Sequence, residues 1–187
     1  IGTSSPDAPL EIEGDNSSTT QFSGYSGLRI HNANGSAHGI TADMYLTAGT
    51  GGSNRGAAIG VEYTAASSGN DLYFATNGGS VTSSNTLTER MRIDSSGNVG
   101  IGVVPEAWHS AFNGVLQVGT YGVMAGTAGS AQFGSNFYYD GAYKRINANY
   151  ASRTYQENGN HVFETAATGA ADSAITFDPA MTLDASG

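Results

Sequence analysis

Short stretches of alternating apolar and polar residues recur along the chain, and a period of two sends successive side chains to opposite faces of a strand. This pattern predicts strands over residues 10–14, 27–31, 40–47, 57–64, 71–75 and 90–94, with Met91 and Ile93 on one face of the last. Turn chemistry separates them: Asn34-Gly35 is a hairpin signal, 49–56 is glycine-rich, and Ser67-Ser68-Gly69-Asn70 closes a further turn. Beyond residue 100 the pattern predicts strands over 115–119, 151–156, 161–164, 174–177 and 181–184. An aromatic-rich hairpin is expected over 133–143, turning at Asp140-Gly141. Residues 103–114 break the rhythm. Pro105 and Glu106 at their start and Asn113-Gly114 at their end are helix-end chemistry, so one or two helical turns are expected there.

A longer pattern overlies the short one. Met91-Arg92-Ile93-Asp94-Ser95-Ser96-Gly97 returns ninety residues later as Met181-Thr182-Leu183-Asp184-Ala185-Ser186-Gly187, and Gly69-Asn70 returns as Gly159-Asn160. The opening Ile1-Gly2 recurs as Ile101-Gly102. The chain therefore reads as two tandem β-rich modules, 1–100 and 101–187, taken from a longer array with about ninety to one hundred residues per unit. Asp94 and Asp184 close corresponding strands ahead of Ser-Gly turns. They are expected to cap those turns through backbone N–H groups.

Composition sharpens the fold class. Charged residues make up 12% of the chain and hydrophobic ones 39%, with 27 glycines among 187 residues. A polar, sparsely charged, turn-rich chain with β-branched and aromatic runs is all-β. A unit of about ninety residues buries little surface by itself, so cores shared between chains are expected. The net charge of −9, with Lys144 the single lysine, argues against nucleic acid or an anionic membrane as a partner. Cysteine is absent, which removes disulfides and thiolate metal sites.

The stretch from Leu87-Thr88-Glu89-Arg90-Met91-Arg92-Ile93-Asp94 through Ser95-Ser96-Gly97-Asn98-Val99-Gly100-Ile101-Gly102 resembles a module of bacteriophage tail fibres and tail spikes. There it often precedes an endosialidase-type intramolecular chaperone. Pro105-Glu106-Ala107-Trp108-His109-Ser110 with Leu116-Gln117-Val118-Gly119 is similar to another such module. So is Tyr155-Gln156-Glu157-Asn158-Gly159-Asn160-His161-Val162-Phe163 with Met181-Thr182-Leu183-Asp184. The resemblance implies an elongated, intertwined homotrimeric fibre on the virion, outside the cell. Its implied partners are other virion tail proteins and a bacterial surface polysaccharide or outer-membrane receptor. A polysaccharide-depolymerase tail spike segment and a bacterial surface adhesin repeat stay open as alternatives.

Candidate chemistry is sparse. His31, His38, His109 and His161 are dispersed and form no His-x-His pair, so no metal site is expected. Glu11 and Glu13 share the polar face of one strand, which reads as a solvated face rather than the paired carboxylates of a glycosidase. Asp43, Asp71, Asp140, Asp172 and Asp178 are scattered, and no nucleophile elbow or phosphate-binding loop occurs. Neither catalysis nor a cofactor is therefore expected. Aromatic residues carry the binding signal: Tyr138, Tyr143 and Trp108 are candidates for stacking on sugar rings, against an alternative in which Phe137 and Tyr139 point inward to build the hairpin core and Trp108 anchors its short helix. Arg90 and Arg92 are expected either to bond neighbouring chains or to be exposed charges.

Overall fold

The computed structural model describes residues 40–47, 56–65, 69–77 and 87–187. The strands expected over 10–14 and 27–31, the turn at Asn34-Gly35, and Glu11, Glu13, His31 and His38 lie outside the described residues. Within them the protein is all-β and contains no helix. Thirteen strands form: β1 Ile40–Thr47, β2 Gly56–Ala65, β3 Gly69–Asn77, β4 Leu87–Ile93, β5 Val99–Ile101, β6 Gly114–Val118, β7 Gly122–Gly126, β8 Ser130–Ser135, β9 Tyr138–Tyr139, β10 Tyr143–Lys144, β11 Asn149–Glu157, β12 Asn160–Gly169 and β13 Asp178–Leu183. Eleven join one sheet in the order β1-β2-β3-β4-β5-β6-β7-β8-β11-β12-β13, and β9 with β10 makes a separate hairpin. Every pairing is antiparallel except β5 with β6.

The sequence repeat is a structural repeat. In β2–β4, Phe74 pairs with Met91 and a bulge follows at once, between Phe74 and Ala75. In β11–β13, Phe163 pairs with Met181 and a bulge again follows, between Phe163 and Glu164. After each closing strand the aspartate caps its turn. Asp94 Oδ1 accepts from the N–H groups of Ser96 and Asn98, and Asp184 Oδ1 accepts from that of Ser186. Gly97 and Gly187 end these turns at φ 87° and 92°, a backbone region that L side chains resist. Asn158 and Gly159 both have positive φ and join β11 to β12, the geometry that suits a two-residue hairpin to strand twist.

The core lies on one face of β6–β8, where Val115, Val123 and Ala125 point inward beneath Trp108, Phe112, Phe137 and Tyr138. Phe137 is fully buried and rests on Gly134, where a Cβ would come within 2.6 Å of the Phe137 ring. Its ring meets Trp108, Tyr143 and Phe177 edge-on at centroid distances of 6.1, 5.9 and 5.9 Å. Residues 103–113 run irregularly, with a turn at Ser110-Ala111, instead of forming the expected helix. The Phe112 N–H reaches the His109 carbonyl at 3.0 Å and the His109 N–H reaches that of Tyr139 at 2.7 Å. With Trp108 and Phe112 both drawn into the core, side-chain packing outweighs a helix too short to pass its costly nucleation.

Candidate functional site

Strand register sorts the sheet into two faces, and one face carries a nearly unbroken apolar ladder from end to end. Partner by partner, a single cross-strand ladder runs Ala42, Val61, Leu72, Ile93, Val99, Leu116, Met124, Phe133, Thr154, Phe163 and Met181. Thr154 is its one polar member, and none of the eleven is buried. Met124 is 50% exposed, Phe133 44%, Phe163 42% and Met181 55%. A second ladder beside it runs Met44, Ile59, Phe74, Met91, Ile101 and Val118, then turns polar through Gly122, Ser135, Ser152 and Thr165. At about 4.8 Å per strand, eleven strands carry this apolar band for about 50 Å. Ordinary monomers keep contiguous exposed apolar patches to roughly 300–600 Å².

The opposite face changes character along the sheet. Over β2–β4 it is polar and centred on Arg92, which is buried and bonds Glu62 at 2.6 Å, Asp71 at 2.7 Å and Glu89 at 2.6 Å. Glu89, then Asp71 and Glu62, hold the guanidinium proton affinity above its ordinary value despite the opposing effect of burial. Arg92 is thus engaged by three carboxylates of its own chain and is not the exposed charge of the second expectation. Arg90 is exposed and donates to Thr76 Oγ1 at 3.0 Å. The Tyr73 hydroxyl donates to Asp43; partial burial and that carboxylate push the phenol up to about 12.

The three aromatic candidates of the sequence lie in the core instead of on a binding surface. Trp108 is 8% exposed and Tyr138 6%, and the Tyr138 hydroxyl donates to Asp172 Oδ1 at 2.9 Å. Burial, reinforced by Asp172, pushes Tyr138 up to about 12. Tyr143 packs half-buried against the same cluster, with the Arg153 guanidinium 4.2 Å from its ring centre. Trp108 meets the Phe112 and Phe137 rings edge-on, and Tyr143 meets those of Phe137, Tyr139 and Phe177. Strict alternation in the hairpin also fails, since Phe137 and Tyr138 are both buried.

The carboxylates disperse into local roles. Asp140 pairs with Lys144 at 2.5 Å, Asp71 also accepts from the Ser95 N–H, and Asp178 is exposed. His109 Nδ1 accepts from the Ala111 N–H at 3.1 Å, and His161 stands exposed on the apolar face opposite Leu183. Among the described residues no three His, Cys, Asp or Glu side chains converge to hold a metal ion. Met91 and Ile93 are the only members of the apolar face that sequence periodicity placed together on one face. Leu116, Met124, Phe133 and Phe163 belong to separate stretches, and only turn lengths bring them into line.

Comparison with known protein families, curated proteins and solved structures found no match.

Proposed function

We propose that this chain is a shaft segment of a bacteriophage tail fibre, a homotrimer that buries its apolar sheet faces against one another and serves virion attachment to the bacterial surface. The observation that carries this reading is the uncovered apolar ladder, together with its repetition. Both Phe–Met pairs, Phe74 with Met91 and Phe163 with Met181, lie on this face, one in each module. A face that repeats along the chain calls for a partner that repeats at the same interval, and a parallel copy of the chain does so by construction. Closed cyclic symmetry then covers every copy without leaving an open edge face.

In this reading the duty is mechanical and multivalent. Identical outer surfaces presented three times add weak contacts through effective concentration. The segment has no catalysis of its own, and its setting is the virion outside the cell, joined to other tail proteins and reaching a surface polysaccharide or outer-membrane receptor. The phage assignment itself is supported by the sequence resemblance at residues 87–102 and its counterpart around Met181.

Light scattering tests the assembly directly. The expected mass is three times the 19.1 kDa of one chain, falling to a single chain in Phe133→Glu, which sets a carboxylate in the middle of the ladder. A cooperatively folded monomer at micromolar concentration sinks the proposal. Saturable adsorption of the labelled assembly to bacterial cells, competed by unlabelled chain, tests attachment; its absence from every strain of a broad panel removes the adhesive duty.

A further inference from the structure

We propose that the outer edge of β13 is an acceptor for a short strand of the β5 kind, Asn-Val-Gly-Ile-Gly, supplied by an adjoining module of the same repeat. This goes beyond the fibre reading and depends on the repeat alone. An offset of ninety residues lays β13 on β4, with Met181 on Met91 and Leu183 on Ile93. Along its far edge β4 carries β5, which sets Ile101 opposite Met91, Gly100 opposite Arg92 and Val99 opposite Ile93. Among the described residues no strand takes that place beside β13, which ends the sheet. Coverage differs accordingly: Met91 and Ile93 are half-buried, whereas Met181 is 55% exposed and Leu183 50%.

A bare sheet edge pairs with any strand that reaches it, and proteins blunt such edges with charge, proline or a bulge. On β13 those devices occupy the first half alone. Asp178 and Pro179 stand there, and the bulge falls at Ala180, between the partners of Glu164 and Phe163. Met181-Thr182-Leu183 carries none of them. These three are the counterparts of the residues that β5 covers on β4.

The turn beyond the edge is formed in advance. The Gly187 N–H donates to the Asp184 carbonyl at 3.1 Å, as that of Gly97 does to Asp94 at 2.9 Å. Asp94 also grips the start of the added strand. Its N–H donates to the Asn98 carbonyl, and its carboxylate accepts from the Asn98 N–H and Nδ2, each at 2.9 Å. Among the described residues the Asp184 carboxylate engages Oδ1 only, with the Ser186 N–H, which leaves Oδ2 to receive an asparagine amide.

The occupant's chemistry follows from the covered edge. Main-chain pairing supplies the attraction, and alternate side chains supply the selectivity. Isoleucine opposite Met181 and valine opposite Leu183 continue the apolar face by one strand. The central glycine has a separate origin: a Cβ on Gly100 would come within 2.1 Å of the Val103 carbonyl, on the leg that leaves β5. A strand of five residues carries no such leg, so its centre accepts alanine.

Native-state hydrogen exchange read by NMR tests this on the full chain extended after Gly187 by Asn-Val-Gly-Ile-Gly. The unextended chain is measured beside it, alone and with the capped pentapeptide at millimolar concentration. The Asp184 amide, counterpart of that of Asp94, and the Thr182 amide two residues before it on the same edge should slow about tenfold or more in the extended chain. The free peptide should give the same pattern more weakly. Serine in place of both valine and isoleucine should abolish the protection, as should Asp184→Ala with the free peptide, whereas alanine at the central glycine should retain it. Unchanged exchange with both forms of the strand, or equal protection by the serine form, overturns the proposal. Protection that rises with the concentration of the unextended chain alone shows β13 pairing with a second β13, and overturns it as well. The mass by light scattering is read on the same samples, so failure here is distinguishable from failure of the trimer.

Discussion

The strands β2–β4 and β11–β13 are built to one plan and finished in two ways. Each trio carries a Phe–Met pair, a bulge after the phenylalanine, and an aspartate-capped turn. Both turn the same apolar face outward. They part company on the other side, where the first trio gathers three carboxylates around Arg92. Beside the second, Arg153 pairs with Glu164 at 2.6 Å and lies under the Tyr143 and Phe177 rings, within the aromatic cover. The shared element is therefore the exposed face, and the variable element is the in-chain filling.

The comparison breaks most sharply at the aromatic cover. Phe137→Ala should lower stability by about 3–5 kcal/mol, because the ring is fully buried and Gly134 leaves nothing to fill the void. Thermal unfolding followed by near-UV circular dichroism reads this, and a loss below ~1 kcal/mol would show the cover to be loosely packed. On the polar side, Arg92→Met leaves three carboxylates facing one another and should cost roughly 3 kcal/mol. Adding Asp71→Asn and Glu62→Gln should recover much of that loss. If the triple variant is no better than the single one, the cluster is held by something other than charge pairing.

The smallest effect sharpens the covered half alone. Glu106 has its proton affinity raised by desolvation and then by Asp172. The ionised carboxylate is therefore favoured less in the fold than in the unfolded chain. That penalty is full above the folded-state pKa and vanishes as pH falls below the ordinary value of 4.5, where both states are protonated. Glu106→Gln should accordingly raise the melting temperature near neutral pH and leave it unchanged in acid. An equal rise at both pH values would point to packing instead of charge.

Much of the fold was legible because alternation is local. Strands around 40–47, 57–64, 71–75, 90–94, 115–119, 151–156, 161–164 and 181–184 form where the period-two pattern placed them. Two departures share one cause. Residues 174–177 alternate yet make only the Ala174 bridge to Lys144, with Ile175 and Phe177 used as core plugs. Conversely β7, Gly122–Gly126, alternates over just Val123, Met124 and Ala125 between glycines, too brief to stand out. Periodicity states that neighbouring side chains part; whether a partner strand is available is decided at long range.

The same limit governs the surfaces. Trp108, Tyr138 and Tyr143 have the chemistry of a sugar platform and of a core alike, and only the long-range return of residues 102–113 and of β9 and β10 over the sheet assigns them to the core. Tyr121 and Tyr150 instead stand exposed, each lying among residues suited to turns in Gly119-Thr120-Tyr121-Gly122 and Asn147-Ala148-Asn149-Tyr150. An aromatic side chain among turn-formers has few neighbours to hide behind.

The lone parallel step between β5 and β6 has a consequence for how such a ribbon acquires a roof. Hairpins leave their connections at the rim, but strands that run the same way need a return leg of about a dozen residues across the sheet. Here that leg is residues 102–113, and it is what carries Trp108 and Phe112 over the second half. A unit entered through a hairpin inherits no such span and must fill its back with charge. Topology, more than residue choice, thus sets which stretches of the sheet are oily on both sides and which are oily on one.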